Sequence, residues 1–404
     1  MKSSKRLLAA SIAAACAAAP MSVFATNGDV LIGLGAQSRA LGGTGTAAFF
    51  GSENALSNPA LLGKSTGTEF AFGGTLFMPD VKAEATTSGA GSQSSKADTN
   101  IIPEVSMSTR INDNLTFGIG MYGSAGMGVD YRDTANLFKA YTNLQLMKFA
   151  PTLAYNKGNF GVGIAPVLQY GALDINYYAN STNTGNGVST DLGTGYNLGA
   201  YFDVNDALTV AVAYQSPIDM KYKDQITVAA NGFSLGSVIT SDNLEQPAEM
   251  KVGVAYTMNN WLFTADAKQI QWSSAKGYKA FNWQDQDVYA LGAKYSASDY
   301  WIGLGYNHGK DPIKKLAGTS YSAEAINMFN NLFFPGIVED HYTLGGGIAL
   351  SKTTTLEGAI VMANKVSKEI DTSTITAAFG GSGTTFQKTT HSQIGYTVSL
   401  RMNF

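Results

Sequence analysis

The chain has 404 residues, with 27 Lys+Arg against 30 Asp+Glu and a formal net charge of −3. No Lys/Arg run interrupts that balance, which argues against a nucleic-acid partner. One cysteine and three scattered histidines supply no metal cluster, and no G-x-S-x-G lies near a histidine, so neither an enzyme nor a cofactor is expected.

The chain opens with Lys2, Lys5 and Arg6, followed by the apolar run Leu7–Ala19 and the small-residue site Val23-Phe24-Ala25. This is the pattern of a secretory signal peptide (residues 1–25), too short to span a membrane as a helix. Cleavage is expected after Ala25, with Thr26 as the mature start. A lipoprotein reading around Cys16 is disfavoured, because Ala13 stands where a larger aliphatic residue is usual. Taking the leader's three cations from 27 leaves 24 Lys+Arg against 30 Asp+Glu, a net charge of −6, and no cysteine. An exported protein without disulfides needs another source of stability, and a closed barrel has one in its hydrogen-bond ladder.

Thr26–Lys64 is rich in glycine and small residues and shows no strand alternation. Val30-Leu31-Ile32, Phe49-Phe50 and Leu61-Leu62 are too apolar for a disordered tail in water. Residues 26–66 are therefore expected to form a compact hatch that plugs a barrel lumen, and residues 67–404 the barrel.

From Thr68 onward, about fourteen segments have the roughly 9–11 residues or more that a tilted membrane strand needs. They are Glu69–Val81, Ile101–Ile111, Leu115–Gly126, Asn143–Asn156, Phe160–Tyr177, Gly195–Val204, Ala207–Tyr222, Glu249–Met258, Trp261–Trp272, Val288–Ala297, Tyr300–Gly309, His341–Ser351, Thr354–Ser367 and Ser392–Phe404. In Leu208, Val210, Val212, Tyr214 and in Met250, Val252, Val254, Tyr256 the apolar residues take every second position, as one face of a strand requires. Short polar turns, such as Asn112-Asp113-Asn114 and Lys157-Gly158-Asn159, alternate with long segments such as Asp130–Thr142, Lys223–Gln246 and Lys310–Asp340. Outer-membrane barrels alternate short periplasmic turns with long extracellular loops in this way.

The last segment is the clearest. Ile394, Tyr396, Val398, Leu400, Met402 and Phe404 alternate with Gln393, Gly395, Thr397, Ser399, Arg401 and Asn403, and the run finishes on an aromatic. A half-buried strand of a soluble sandwich would show the same alternation. The secretory leader and the absence of any run of the ~18 apolar residues a spanning helix needs favour a lipid-facing strand. The 45 Gly, 20 Tyr and 20 Phe beside only 10 Pro suit tight turns and interfacial aromatic girdles. The expected fold is an all-β transmembrane antiparallel barrel of about 14 strands with an N-terminal hatch. It is expected as a monomer in the bacterial outer membrane, inserted by the barrel assembly machinery and surrounded by lipid and lipopolysaccharide.

The run Gly42–Ala48, followed by Asn54-Ala55-Leu56-Ser57-Asn58-Pro59-Ala60-Leu61, resembles the N-terminal hatch of the outer-membrane long-chain fatty acid transporter family, which includes the toluene and xylene transporters. Leu115–Gly120 through Asp130-Tyr131 is similar to its third strand, and Ala150–Tyr155 to its fourth. Met250–Tyr256 with Gln271-Trp272-Ser273-Ser274 resembles its central hairpin, and Phe334-Pro335 with His341–Gly345 a late strand. The resemblance covers essentially the whole mature chain, with Asn58, Pro59 and Ala60 as the hatch motif. It implies a 14-stranded barrel whose hydrophobic small-molecule substrate is captured among extracellular loops and moves to a pocket near the mature N-terminus. Substrate then leaves sideways where the third strand is kinked, driven only by its gradient. A general diffusion porin is the alternative, and sugar-driven liposome swelling separates the two.

Candidate residues follow for each step. Gly123, Ser124, Ala125 and Gly126 leave little bulk in the third strand, and glycine permits a bend or bulge; ordinary glycine crowding is the other reading. In the loop Asp130–Thr142, Leu137, Phe138 and Tyr141 stand on a short helical stretch suited to apolar capture. Phe329, Leu332, Phe333 and Phe334 offer a second exposed patch; each group can instead be loop packing. Among inward-phase charges, Glu104, Arg110, Lys148, Lys251 and Asp266 line the expected lumen, with Lys268, Lys294, Glu357 and Lys365. Most are expected to form ion pairs with the hatch, and a fatty acid carboxylate would use one or two of the cations.

Overall fold

The computed structural model describes residues 26–86, 91–179 and 182–404. The expected leader and its cleavage site after Ala25 lie outside the described residues. Fourteen strands of eight residues or more form the wall. They are β1 Thr68–Ala85, β2 Asn100–Asn112, β3 Leu115–Asp130, β4 Tyr141–Lys157, β5 Phe160–Asn176, β6 Ser189–Asp203 and β7 Leu208–Gln215. The others are β8 Glu249–Met258, β9 Trp261–Ile270, β10 Gln286–Ser296, β11 Tyr300–Gly309, β12 Asp340–Ala349, β13 Thr354–Asp371 and β14 Phe386–Asn403. Each pairs antiparallel with its sequence neighbours. β14 pairs with β1 from Asn403↔Glu69 to Gln387↔Ala85, which closes the ring.

The alternation read from sequence sets the two faces. Met250, Val252, Val254 and Tyr256 of β8 are 42–54% exposed, and the same holds for the alternate apolar residues of neighbouring strands. A water-soluble monomer rarely presents a continuous apolar belt of this kind, whereas a barrel in lipid needs one. Aromatics gather at the short-turn end, where Trp261 stacks on Phe263 at 5.9 Å and meets Tyr295 edge-on at 5.2 Å. Tight turns join β2–β3, β4–β5, β6–β7, β8–β9, β10–β11 and β12–β13, and longer loops join the other pairs at the opposite end.

β6 and β14 begin six residues earlier than expected, at Ser189 and Phe386, and β13 runs on to Asp371; one segment instead falls short. Ala207–Tyr222 continues to alternate, but β7 stops at Gln215. Pro217 has no N–H to give a ladder, and the chain folds inward. Ile218, Met220 and Tyr222 are fully buried, with isolated bridges Ile218↔Gln246 and Lys221↔Asn243.

Phe404 continues the outward row of β14. It is 79% exposed, and its N–H donates to the Thr68 carbonyl across the closing seam at 2.8 Å. A charge on the lipid face near an interface costs up to about 1 kcal/mol, and here it also loads the strand that closes the ring. Phe404→Asp should therefore lower the amount of folded barrel, read by heat-modifiable migration, and leave the specificity of the surviving fraction unchanged. Altered substrate preference at normal abundance would contradict this.

Candidate functional site

Residues 26–64 lie inside the ring and touch strands on all sides. Helix α1 (Gly35–Ala40) places Arg39 against Glu104 of β2 with two hydrogen bonds, of 2.9 and 2.5 Å. The Gly45 and Thr46 amides each donate to Asp266 Oδ2 of β9 at 2.9 Å. Arg401 of β14 binds Glu53 at 3.0 Å, Glu69 at 2.6 Å and Glu357 at 3.1 Å. Burial pushes the Glu53 carboxyl up to about 7, against the opposing pull of Arg401. Arg110 binds the Gly63 and Ser65 carbonyls at 2.7 and 2.9 Å, tying the segment's end to the turn side. These charges therefore anchor the segment to the wall.

Asn58, Pro59 and Ala60 form the start of a 3₁₀ turn, Pro59–Lys64, in which the Asn58 side chain accepts from the Ala60 N–H at 3.1 Å. Asn58 Nδ2 also donates to the Thr46 carbonyl at 2.7 Å. The motif sits hard against two wall glycines. A Cβ on Gly163 of β5 would fall 2.4 Å from the Pro59–Ala60 peptide, and one on Gly199 of β6 would fall 1.8 Å from the Asn58 side chain.

The wall is interrupted at β3. Its ladder with β2 ends at Glu104↔Tyr122, although β3 continues to Asp130 alongside β4. On the β4 side the register shifts between Gly123↔Met147 and Ala125↔Leu146, so Ser124 is the extra residue of a bulge. A bulge bends its strand and ends regular pairing. Gly123 to Val129 are all buried. The place of β2 is taken by the N-terminal strap Thr26–Ile32, in which Val30 bridges Ala125 and the Asp29 carbonyl accepts from Gly126 N–H at 3.0 Å. Higher up, Lys96 N–H donates to the Asp130 carbonyl at 2.8 Å.

Beside this interruption lies a lumen cavity of about 80 Å³, lined by Val30 to Ile32 of the strap and by Leu34, Leu56, Ser124, Lys148, Glu249, Lys251, Asp266 and Lys268 among others. Glu249 pairs with Lys251 at 3.2 Å and Lys268 at 3.7 Å. Lys148 is 3% exposed and makes no ion pair among the described residues. Lys365 falls in the β13 bulge between Ala363 and Val366 and is exposed, so it leaves the lumen set.

The outer loops pack into one aromatic cluster. Leu137 closes a 3₁₀ turn, Ala135–Leu137, and is 1% exposed within that cluster. Phe138 is 38% exposed, with its ring 6.2 Å from Phe233. Tyr141 begins β4, and Arg132 lies over its ring at 4.3 Å. The expected single helical face is therefore divided between a core residue, a surface residue and a strand. Phe329, Leu332, Phe333 and Phe334 are not an exposed patch: all are 5% exposed or less, because helix Tyr321–Phe333 turns its apolar face onto Phe233, Phe281 and Tyr177. Sequence reading missed Asp29. Its carboxylate accepts from Gln246 Nε2 at 2.9 Å and from the Tyr278 hydroxyl, and burial pushes it up to about 6. No local pattern marks a pair 249 residues apart.

The sequence model of the family described as outer membrane protein transport protein (OMPP1/FadL/TodX) matches residues 10–404. No curated protein matches the sequence. Among solved structures, the Pseudomonas putida toluene transporter TodX is 18% identical, covering 92% of this chain and 99% of its own, with a TM-score of 0.67. A Pseudomonas aeruginosa FadL homologue is 14% identical over 96% of this chain and 100% of its own, at 0.68. The Ralstonia pickettii toluene transporter TbuX is 17% identical over 92% and 98%, at 0.64. At these identities the structural likeness establishes the closed 14-strand barrel.

Proposed function

The chain belongs to the family of outer membrane protein transport proteins that includes FadL and TodX, and on that premise we propose passive uptake of hydrophobic small molecules with sideways exit through the barrel wall. The cargo is a long-chain fatty acid or an aromatic or aliphatic hydrocarbon. The observation that carries this reading is the β2–β3 ladder that stops at Glu104↔Tyr122, directly beside a lumen cavity that Ser124 lines. An apolar chain entering a water-filled pore forfeits ~0.8 kcal/mol per CH₂, or roughly 8 kcal/mol for about ten methylenes. A route that opens into the bilayer avoids that loss. Residues 26–66 act as the hatch, with the Asn58-Pro59-Ala60 turn seated on the wall, and the exposed Phe138 offers the first apolar contact. A general diffusion porin would need an open polar lumen, which the inward-packed segment fills. On this reading the barrel is inserted by the assembly machinery and works as a monomer.

Lys148 favours a cargo with an anionic end, because it is a buried cation at the cavity without an ion-pair partner among the described residues. A hydrogen bond to a charged group contributes about 1.5–3 kcal/mol, so Lys148→Met should weaken fatty acid binding by roughly 10- to 100-fold. Toluene binding should not change. Binding of both probes to the purified barrel tests this: equal fatty acid affinity in the folded variant removes Lys148 from recognition.

A further inference from the structure

We propose that the outward face of β8 to β12 binds the phosphorylated glycolipid of the outer leaflet, with its acyl chains in an apolar groove and its phosphates on Lys310, Lys314 and Lys315. The centre of this face, β10, is seven strands from β3 in a ring of fourteen, so the site is independent of the exit at the interruption.

Short side chains make the groove. By register, Val254, Ala265, Leu291, Tyr306 and Tyr342 form one outward row across β8 to β12. Ala265 in this row, and Ala293 two residues nearer the turns, sit low between Val254, Leu291 and Leu304. The result is a depression of about 630 Å³, within the ~300–1,000 Å³ range of small-molecule sites. Leu291 and Leu304 are 57% and 60% exposed, so it opens to lipid and not to the lumen. The rings of Tyr306 and Tyr342, 5.4 Å apart, bound it toward β12.

The loop end of the same face is polar. One row above, His308 Nδ1 lies 2.9 Å from Asp340 Oδ1, which also accepts from the Tyr306 hydroxyl at 2.5 Å. These two side chains are 40% and 33% exposed on a wall that is otherwise apolar. A carboxylate on the lipid face is costly unless polar groups reach it. The sugar hydroxyls and acyl amides of a glycolipid are such groups, because they donate.

Cations stand directly above. Lys310 follows β11, and its carbonyl accepts from Gln286 Nε2 at 2.9 Å. The Lys314 carbonyl accepts from Asn282 Nδ2 at 2.7 Å, and Ile313 bridges Trp283. This segment is thereby fixed over the loop ends of the strands that line the groove. Lys310, Lys314 and Lys315 are exposed and make no ion pair among the described residues. The acids nearby are engaged elsewhere: Asp311 takes Lys368 at 2.7 Å, and Asp287 takes Gln269 at 3.1 Å. Lysine clusters at a membrane surface attract anionic headgroups. A free anion would use the lysines but not the groove, and a hydrocarbon would use the groove but not the lysines. A phosphate joined to acyl chains uses both.

Binding to the purified barrel in detergent, read by native mass spectrometry, tests this with bisphosphorylated lipid A as the probe. Dephosphorylated lipid A and phosphatidylglycerol are the comparisons, and heat-modifiable migration checks the fold. The wild-type barrel should bind bisphosphorylated lipid A at least about tenfold more tightly than either comparison. The triple variant Lys310→Gln, Lys314→Gln, Lys315→Gln should lose about tenfold or more of that affinity, as expected for three lysines removed from an anionic surface, and bind the dephosphorylated form as before. Ala265→Trp fills the groove from the lipid side and should weaken binding of both forms of lipid A. Wild-type affinity in the triple variant, or in folded Ala265→Trp, overturns the proposal. Equal binding of phosphatidylglycerol also overturns it, since the face would then attract any anionic lipid.

Discussion

Deletion of Thr26–Ala60, with residues 1–25 retained, should leave an assembled barrel that leaks small polar solutes and has lost most hydrophobic uptake. The ring closes without this segment, because each strand pairs with both wall neighbours over at least part of its length and β14 returns to β1; only the upper half of β3 loses a partner, the strap. A closed ladder satisfies the backbone within lipid without help from the lumen. The deletion does strip partners from buried charges: Glu104 loses Arg39, and Arg401 loses Glu53. Leaving a charge unpaired in a dry site is costly, but here the lumen floods, so water replaces the missing partners. The same flooding opens the pore to sugars. Liposome swelling should rise from near zero to the rate of an open barrel, and fatty acid or toluene uptake should fall by about tenfold or more, since the strap and cavity floor are gone and cargo meets water. A deletion that altered neither swelling nor uptake would remove residues 26–60 from the transport mechanism.

The wall was more legible in the sequence than the site, for a physical reason. A strand in lipid repeats every two residues, and Glu249–Met258 and Tyr300–Gly309 have the observed bounds because alternation and turn residues both stop there. Ala207–Tyr222 overshot because alternation persists past Pro217 while the backbone leaves the sheet. Apolarity alone announced that Phe329 to Phe334 needed covering, but not that Phe233 and Phe281 from other loops do it. The glycines of β3 were visible as small residues. That β2 ceases to pair at Glu104, and that Asp29 and Val30 stand in for it, depends on contacts between segments some 75 to 100 residues apart. The Arg401–Glu53 pair is 348 residues apart and leaves no trace in either neighbourhood.

Filling the β3 interruption should block transport without unfolding the barrel. Gly123 is the last regular residue before the bulge, opposite Met147, and Gly126 follows it, opposite Gln145 with its N–H on the Asp29 carbonyl. Both are buried where the wall is interrupted, on either side of the Val30–Ala125 bridge's position in β3, so a side chain at either position adds bulk there. Gly123→Val and Gly126→Val place β-branched groups there, alone or together. Valine suits a pleated strand, and replacing glycine lowers the entropy of the unfolded chain where the backbone tolerates it, so the β3–β4 pairing should survive. The outer loops are unchanged, so hydrophobic molecules should still be captured at the surface. Uptake in the double variant should fall by about tenfold or more, since cargo that cannot leave through the wall faces the aqueous lumen and its cost of ~0.8 kcal/mol per CH₂. Heat-modifiable migration checks the fold, binding to whole cells checks capture, and intracellular accumulation reads exit. A folded double variant that transports at the normal rate would show that cargo does not leave beside β3. The remaining path would then run past the N-terminal segment to the turn side of the barrel, where Lys64 pairs with Asp203 at 2.6 Å and Arg110 holds Gly63, and those contacts would become the ones to break.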